Sequence, residues 1–162
     1  PYGLQADQPL ERGPRLKAAL ALCHTRLDIN LGVAMRSAEA AGLTAVWLVG
    51  RHTYLRSPAR GTDHVLDVHH AIDAAALVRM AREADYQIVA IQQTPRSVPY
   101  QSADYPPRPL FVMGSEDEGL PARLRLEADL VVEIPMFGVI DSLNVAAAAT
   151  TVLFHWRSHL ET

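Results

Sequence analysis

The sequence predicts an α/β domain with a mainly parallel sheet flanked by helices, and three observations carry that prediction. Short, continuous apolar runs, such as residues 18–23 and 45–49, read as strands covered on both faces. They alternate with amphipathic or alanine-rich stretches of helical length. Loops that follow three of the strands, at 92–95, 114–119 and 135–142, hold glycines and polar residues where such sheets bind ligands. These three loops are expected to converge.

Residues 1–17 contain Pro1, Gly3, Pro9, Gly13 and Pro14 beside Arg12, Arg15 and Lys17, and read as an irregular N-terminal arm. Residues 18–162 then form a single domain, opening with a strand at 18–23. Asn30 suits the N-cap of a helix that runs to Ala41, with Gly42 just past its end. On that helix Leu31, Ala34, Met35, Ala38 and Ala41 share one face, with Gly32, Arg36 and Glu39 on the other. A second strand follows at 45–49, then a basic loop over 51–61 (RHTYLRSPARG). A short strand at 65–68 and an alanine-rich helix at 72–84 come next. The strand at 86–91 leads into Gln92 and Gln93, and a proline-rich connection covers 96–109. The strand at 110–113 breaks at Gly114, and Pro121 suits the first turn of a brief helix. The last strand covers 129–134, and the last helix runs from Ser142 to about His159. Ala146, Ala147, Ala148 and Ala149 would let another backbone approach that helix closely.

A chain of 162 residues suits one domain. No apolar run reaches the ~18 residues of a membrane span, and no basic-then-apolar signal opens the chain, so a cytoplasmic location is expected. The lone Cys23 gives neither an internal disulfide nor a cysteine metal site. A net charge of −3 argues against a general nucleic-acid coat, which is usually basic. Of the 15 basic residues, however, all but Lys17 are arginines, and their clustering permits a local basic track.

Taken singly, the polar residues have ordinary readings. Asn30 and Arg36 stand ~9 Å apart along a helix, as a cap and a surface arginine would. Glu116, Asp117 and Glu118 read as an exposed turn; magnesium would accept such carboxylates, but neighbours in a turn rarely aim at one point, so no metal is expected. Ser142 is a candidate N-cap, with Asn144 in the first turn after it. His155 and His159 lack the glutamate of a zinc-protease helix, and His24, His69 and His70 have no partner pattern. No phosphate-binding loop, dinucleotide fingerprint or nucleophile elbow occurs.

Taken together, three blocks resemble one family. Residues 30–42 (NLGVAMRSAEAAG) resemble the first motif of the SpoU/TrmH family of SPOUT-class RNA methyltransferases. Residues 110–120 (LFVMGSEDEGL) resemble the second, and 134–148 (IPMFGVIDSLNVAAA) the third. Order and spacing agree over roughly residues 18–157. Family members often have serine where Ala146 stands.

The resemblance implies a C-terminal trefoil knot forming an S-adenosylmethionine (AdoMet) pocket, a homodimer, and methyl transfer to a ribose 2′-OH of tRNA, with rRNA the alternative. S-adenosylhomocysteine would be the product, and a silent knotted RNA-binding protein or a base methyltransferase would be the rivals. By motif match Arg36 would be catalytic, supported by Asn30, Glu116, Ser142 and Asn144. Gln92 or Gln93, Gly114, Ile134, Met136 and Leu143 would hold AdoMet. The family proposal makes Arg36 the base, yet a guanidinium keeps its proton in proteins. Binding a phosphate and stabilising the developing alkoxide suits it better. Arg51, His52, Tyr54, Arg56 and Arg60 would contact RNA, with Arg12, Arg15 and Lys17 assisting.

Overall fold

A computed structural model describes residues 13–51 and 53–160; Arg12 and His52 lie outside the described residues. Its strands are β1 (Leu16–Cys23), β2 (Leu43–Val49), β3 (Asp67–Ala71), β4 (Gln87–Ile91), β5 (Val98–Pro99), β6 (Pro109–Met113) and β7 (Leu130–Glu133). They form one sheet in the order β3-β2-β1-β6-β4-β7-β5, with every pairing parallel. Helices α1 (Asp28–Ala40), α2 (Ala74–Glu83), α3 (Ala122–Glu127) and α4 (Val145–His159) cover both faces. Leu31, Met35, Val152 and Trp156, from α1 and α4, pack on one face with Leu20 and Phe111. Leu77 and Leu124, from α2 and α3, pack on the other with Ala21 and Val112. Such side chains each contribute about 1.5–3 kcal/mol relative to exposure.

The continuous apolar runs are the strands buried on both faces, as expected for a covered parallel sheet. Small residues bring α4 against α1, where the Ser37 and Thr150 hydroxyls lie 2.6 Å apart. Gly42 follows α1 with a φ of +82°.

Several local expectations are corrected. The strand expected at 65–68 lies at Asp67–Ala71 instead. This edge strand includes His69, whose ring stacks on Trp47 with centroids 4.6 Å apart. The 96–109 connection contains β5, an edge strand whose Pro99 needs no ladder donor on its open side. Asp73 caps α2, accepting from the Ala76 N–H at 2.8 Å, so that helix starts at Ala74 rather than 72. Gly32, expected on the outer face of α1, is instead buried. The 57–59 turn backs onto it, and a Cβ there would lie 2.4 Å from the Pro58 Cβ.

Candidate functional site

The three loops at the carboxyl ends of β4, β6 and β7 converge as expected. They enclose a cavity of about 500 Å³ together with the start of α4, a size typical of small-molecule sites. Gln92, Gln93, Gly114, Ile134, Met136 and Leu143 all line it, as do Glu116, Ser142 and Asn144. Sequence reasoning does not single out Ser115 or Asp141, which also line it; their place in the flagged loops was the available signal.

The second loop is a tight hairpin. Ser115 and Gly119 exchange backbone hydrogen bonds of 3.2 and 3.1 Å, and the Ser115 hydroxyl accepts from the Glu118 N–H at 3.0 Å. Gly114 enters it with no room for a side chain: a Cβ there would lie 1.9 Å from the Gly119 carbonyl carbon. The Gln92 side chain ties this loop to the first, its Oε1 accepting from the Leu120 N–H at 3.1 Å. Gln92 is thus held in place by the hairpin while it lines the cavity.

A polar chain joins the cavity to α1. The Asn30 Nδ2 donates to Glu116 Oε1 at 2.6 Å, and the Asn144 Nδ2 donates to Asn30 Oδ1 at 3.0 Å. The Asn144 Oδ1 in turn accepts from the Ala146 and Ala147 N–H groups at 2.9 and 3.2 Å. Two expected caps are therefore corrected. Asn144, not Ser142, is the N-cap of α4, because its carboxamide reaches two free helix donors. Asn30 caps nothing: α1 starts at Asp28, and Asn30 is its third residue, 8% exposed and turned toward Glu116. Ser142 sits exposed in the preceding loop.

Arg36 does not line the cavity. It is exposed on α1, and among the described residues no hydrogen bond or ion pair holds it. Its guanidinium is open to a ligand arriving from solvent.

The basic loop is less uniform than its sequence suggests. Arg51 is held on three sides, donating to Asp28 Oδ1 at 2.5 Å, the Thr25 carbonyl at 2.8 Å and the Thr53 carbonyl at 2.9 Å. Tyr54 is half-buried against the core, and burial followed by the charge of Asp63 pushes its phenol pKa up. Arg56 is exposed with its Nε 3.4 Å from Asp63, and Arg60 is exposed with a φ of +50°. Arg15 donates to the Leu43 carbonyl at 2.7 Å and Lys17 lies within β1, its ammonium 5.5 Å from the Tyr86 ring centroid. Cys23 is buried, which pushes its thiol up to about 12 and leaves it protonated near neutral pH. Among the described residues no group of three or more His, Cys, Asp or Glu side chains is placed to hold a metal, and no helix is long and apolar enough to cross a membrane.

The arrangement is a cleft with apolar and backbone walls, lined by the Glu116 and Asp141 carboxylates and the Gln92, Gln93 and Asn144 carboxamides, with the exposed Arg36 outside it. The chain is 33% identical over 130 residues to the 23S rRNA (guanosine-2'-O-)-methyltransferase RlmB of Xylella fastidiosa, over 77% of this chain and 52% of that protein. It is 30% identical over 158 residues to the tRNA (guanosine(18)-2'-O)-methyltransferase of Escherichia coli, over 94% of this chain and 67% of that protein. The AdoMet-bound rRNA methyltransferase of Sinorhizobium meliloti superposes with a TM-score of 0.80 at 35% identity, over 88% of this chain and 56% of that one. The chain thus spans about half the length of the 23S rRNA relatives it matches. A family model for the SpoU rRNA methylases matches residues 17–154, and the chain belongs to that family.

Proposed function

We propose that this chain is an AdoMet-dependent methyltransferase acting on a ribose 2′-OH of RNA, with tRNA as the substrate and rRNA as the alternative. The observation that carries the reading is the hydrogen-bonded Glu116–Asn30–Asn144 chain at the edge of a ligand-sized cavity in a protein of this family. The relatives' own activities, on 23S rRNA and on tRNA, support both substrates.

The residues present fit the cofactor. Ile134, Met136 and Leu143 supply apolar wall, and Gly114 and Gly119 leave backbone rather than side chain facing the space. Few charged groups line it, which suits a donor held by backbone polar groups and dispersion contacts. When bound, AdoMet supplies an electrophilic methyl group on a sulfonium. The protein then has to align the nucleophile and help it shed a proton. Asn30, itself held by Asn144, fixes the Glu116 carboxylate at the cavity edge, where it accepts the 2′-OH proton. Arg36 grips the phosphate beside the target ribose and stabilises the alkoxide as it develops. Ser142 completes the polar edge, and the C-terminal trefoil knot of the family shapes the pocket between the loops.

The active unit is a homodimer. Ile29 and Val33 on α1, Phe137, Val139 and Ile140 in the loop before α4, and Phe154 on α4 are large apolar side chains left exposed. Apolar surface on neighbouring segments suits a partner subunit.

RNA is gripped by Arg56 and Arg60, which are exposed, more than by Arg51, whose donors are engaged. The double variant Arg56→Ala, Arg60→Ala is expected to weaken RNA binding by about tenfold and to leave AdoMet affinity unchanged, as measured by filter binding and calorimetry. Unchanged RNA affinity would remove this loop from the interface.

The function is tested by incubating the chain with labelled AdoMet and, separately, total tRNA and total rRNA. Label entering tRNA supports the main reading and label entering only rRNA the alternative. A chain that binds neither AdoMet nor transfers label to either pool would be the silent RNA-binding protein instead.

A further inference from the structure

The basic loop that follows β2 is folded around a buried carboxylate. Residues 57–59 and 62–64 form two tight turns, joined by Arg60 and Gly61 with φ of +50° and +84°. The Thr62 hydroxyl ties the turns together, donating to the Ala59 carbonyl at 2.8 Å. From the second turn Asp63 reaches back past the first. Its side chain is 3% exposed, and its Oδ2 lies 3.4 Å from Arg56 Nε without accepting a hydrogen bond. The Tyr54 hydroxyl hydrogen-bonds the same carboxylate. The Arg56 side chain is 71% exposed, so its guanidinium is held at one edge and open at the other.

The loop is also seated on α1. Pro58 and Ala59 pack against Gly32, where a Cβ would lie 2.4 Å from Pro58 Cβ and 2.7 Å from the Ala59 nitrogen. Arg36 stands one turn further along the same side of α1. Arg60, next after Ala59, is exposed as Arg36 is. The seat therefore brings the loop arginines beside the one assigned to the phosphate of the target ribose. A buried carboxylate is costly, and one paired only at a distance adds little stability of its own. What it supplies here is order: an arginine already held at Nε has less side-chain freedom to lose when it grips a phosphate.

Resting on the RNA reading above, we propose that Asp63 is a positioning residue for RNA. It holds Arg56 and closes the 54–64 loop on α1, so that Arg56, Arg60 and Arg36 form one phosphate-binding track. Charge alone gives the opposite sign. Asp63 is a negative charge among phosphate-binding arginines, so its removal, acting only through the field, would tighten RNA binding. Positioning makes removal loosen it.

Filter binding of total tRNA and total rRNA over a range of salt, beside calorimetry with AdoMet, separates the two. Asp63→Asn is expected to weaken RNA binding about threefold, the share of one arginine in the tenfold loss expected for Arg56 and Arg60 together. The slope of log affinity against log salt should shrink by about one, as for one lost phosphate contact. AdoMet affinity and kcat at saturating RNA should stay within about twofold of the parent, leaving the loss in KM for RNA. Asp63→Glu, which keeps the charge, should recover part of the affinity. With Arg56→Ala already in place, Asp63→Asn should cost nothing further, because it acts through that arginine. Tighter or unaltered RNA binding in Asp63→Asn, or losses that add in the double variant, would overturn the assignment. Should Asp63→Asn not fold, Gly32→Ala carries the same test, since its methyl lifts Pro58 off α1. Weaker RNA binding with intact AdoMet affinity is again expected, and unaltered RNA binding overturns the assignment. A parent chain that binds neither RNA pool overturns the RNA reading as well; a parent that binds RNA as well as Asp63→Asn does overturns the positioning role alone.

Discussion

Arg36→Ala is expected to lower kcat for RNA methylation by about 100- to 1,000-fold, the usual loss when one positioned donor to a developing oxyanion is removed. Arg36 stands exposed on α1, outside the cavity lining, with no hydrogen bond or ion pair among the described residues. AdoMet affinity, read by calorimetry, should therefore stay within about twofold of the parent, and stability should barely change, as for surface positions free of special contacts. Arg36→Lys separates two roles. A lysine keeps the charge but loses the planar two-point grip on phosphate, so partial recovery of kcat with a raised KM for RNA is the expected pattern. Full activity in Arg36→Ala would remove the arginine from the mechanism.

The second large effect lies in the hairpin that walls the cavity. Gly114→Ala places a methyl 1.9 Å from the Gly119 carbonyl carbon and 2.1 Å from its oxygen, and both are backbone atoms that cannot rotate aside. The hairpin must open, breaking the Ser115–Gly119 pair and the Gln92 tie to Leu120. Overpacking of this kind costs about 1–3 kcal/mol of stability. Because Gln92, Gly114 and Gly119 all line the first cavity, AdoMet affinity should fall by at least about tenfold. Retained affinity in a folded Gly114→Ala protein would mean that the hairpin does not shape the cofactor site.

The sheet was legible in the sequence because parallel strands covered on both faces must be continuous apolar runs, and residues 18–23, 45–49 and 110–113 are that. The edges were not. β3 carries His69 and His70, and β5 carries Pro99, residue types that interior strands avoid but an edge tolerates. Convergence of the three loops was legible from topology alone. The choice of helix cap was not: Asn30, Ser142 and Asn144 are all good capping types, and what separates them is a partner far along the chain. Asn30 turns to Glu116, 86 residues away, and so is withdrawn from the end of α1. Arg51 was unreadable for the same reason, since its engagement by Asp28 and two carbonyls belongs to the tertiary structure.

The site of the transferred methyl group decides the account most directly. RNA treated with the chain and labelled AdoMet is hydrolysed in alkali, and the label is followed by size. A 2′-O-methyl group removes the hydroxyl that attacks the neighbouring phosphodiester, so the account predicts label in alkali-resistant dinucleotides. Label released in mononucleotides, or no label transferred at all, would contradict it.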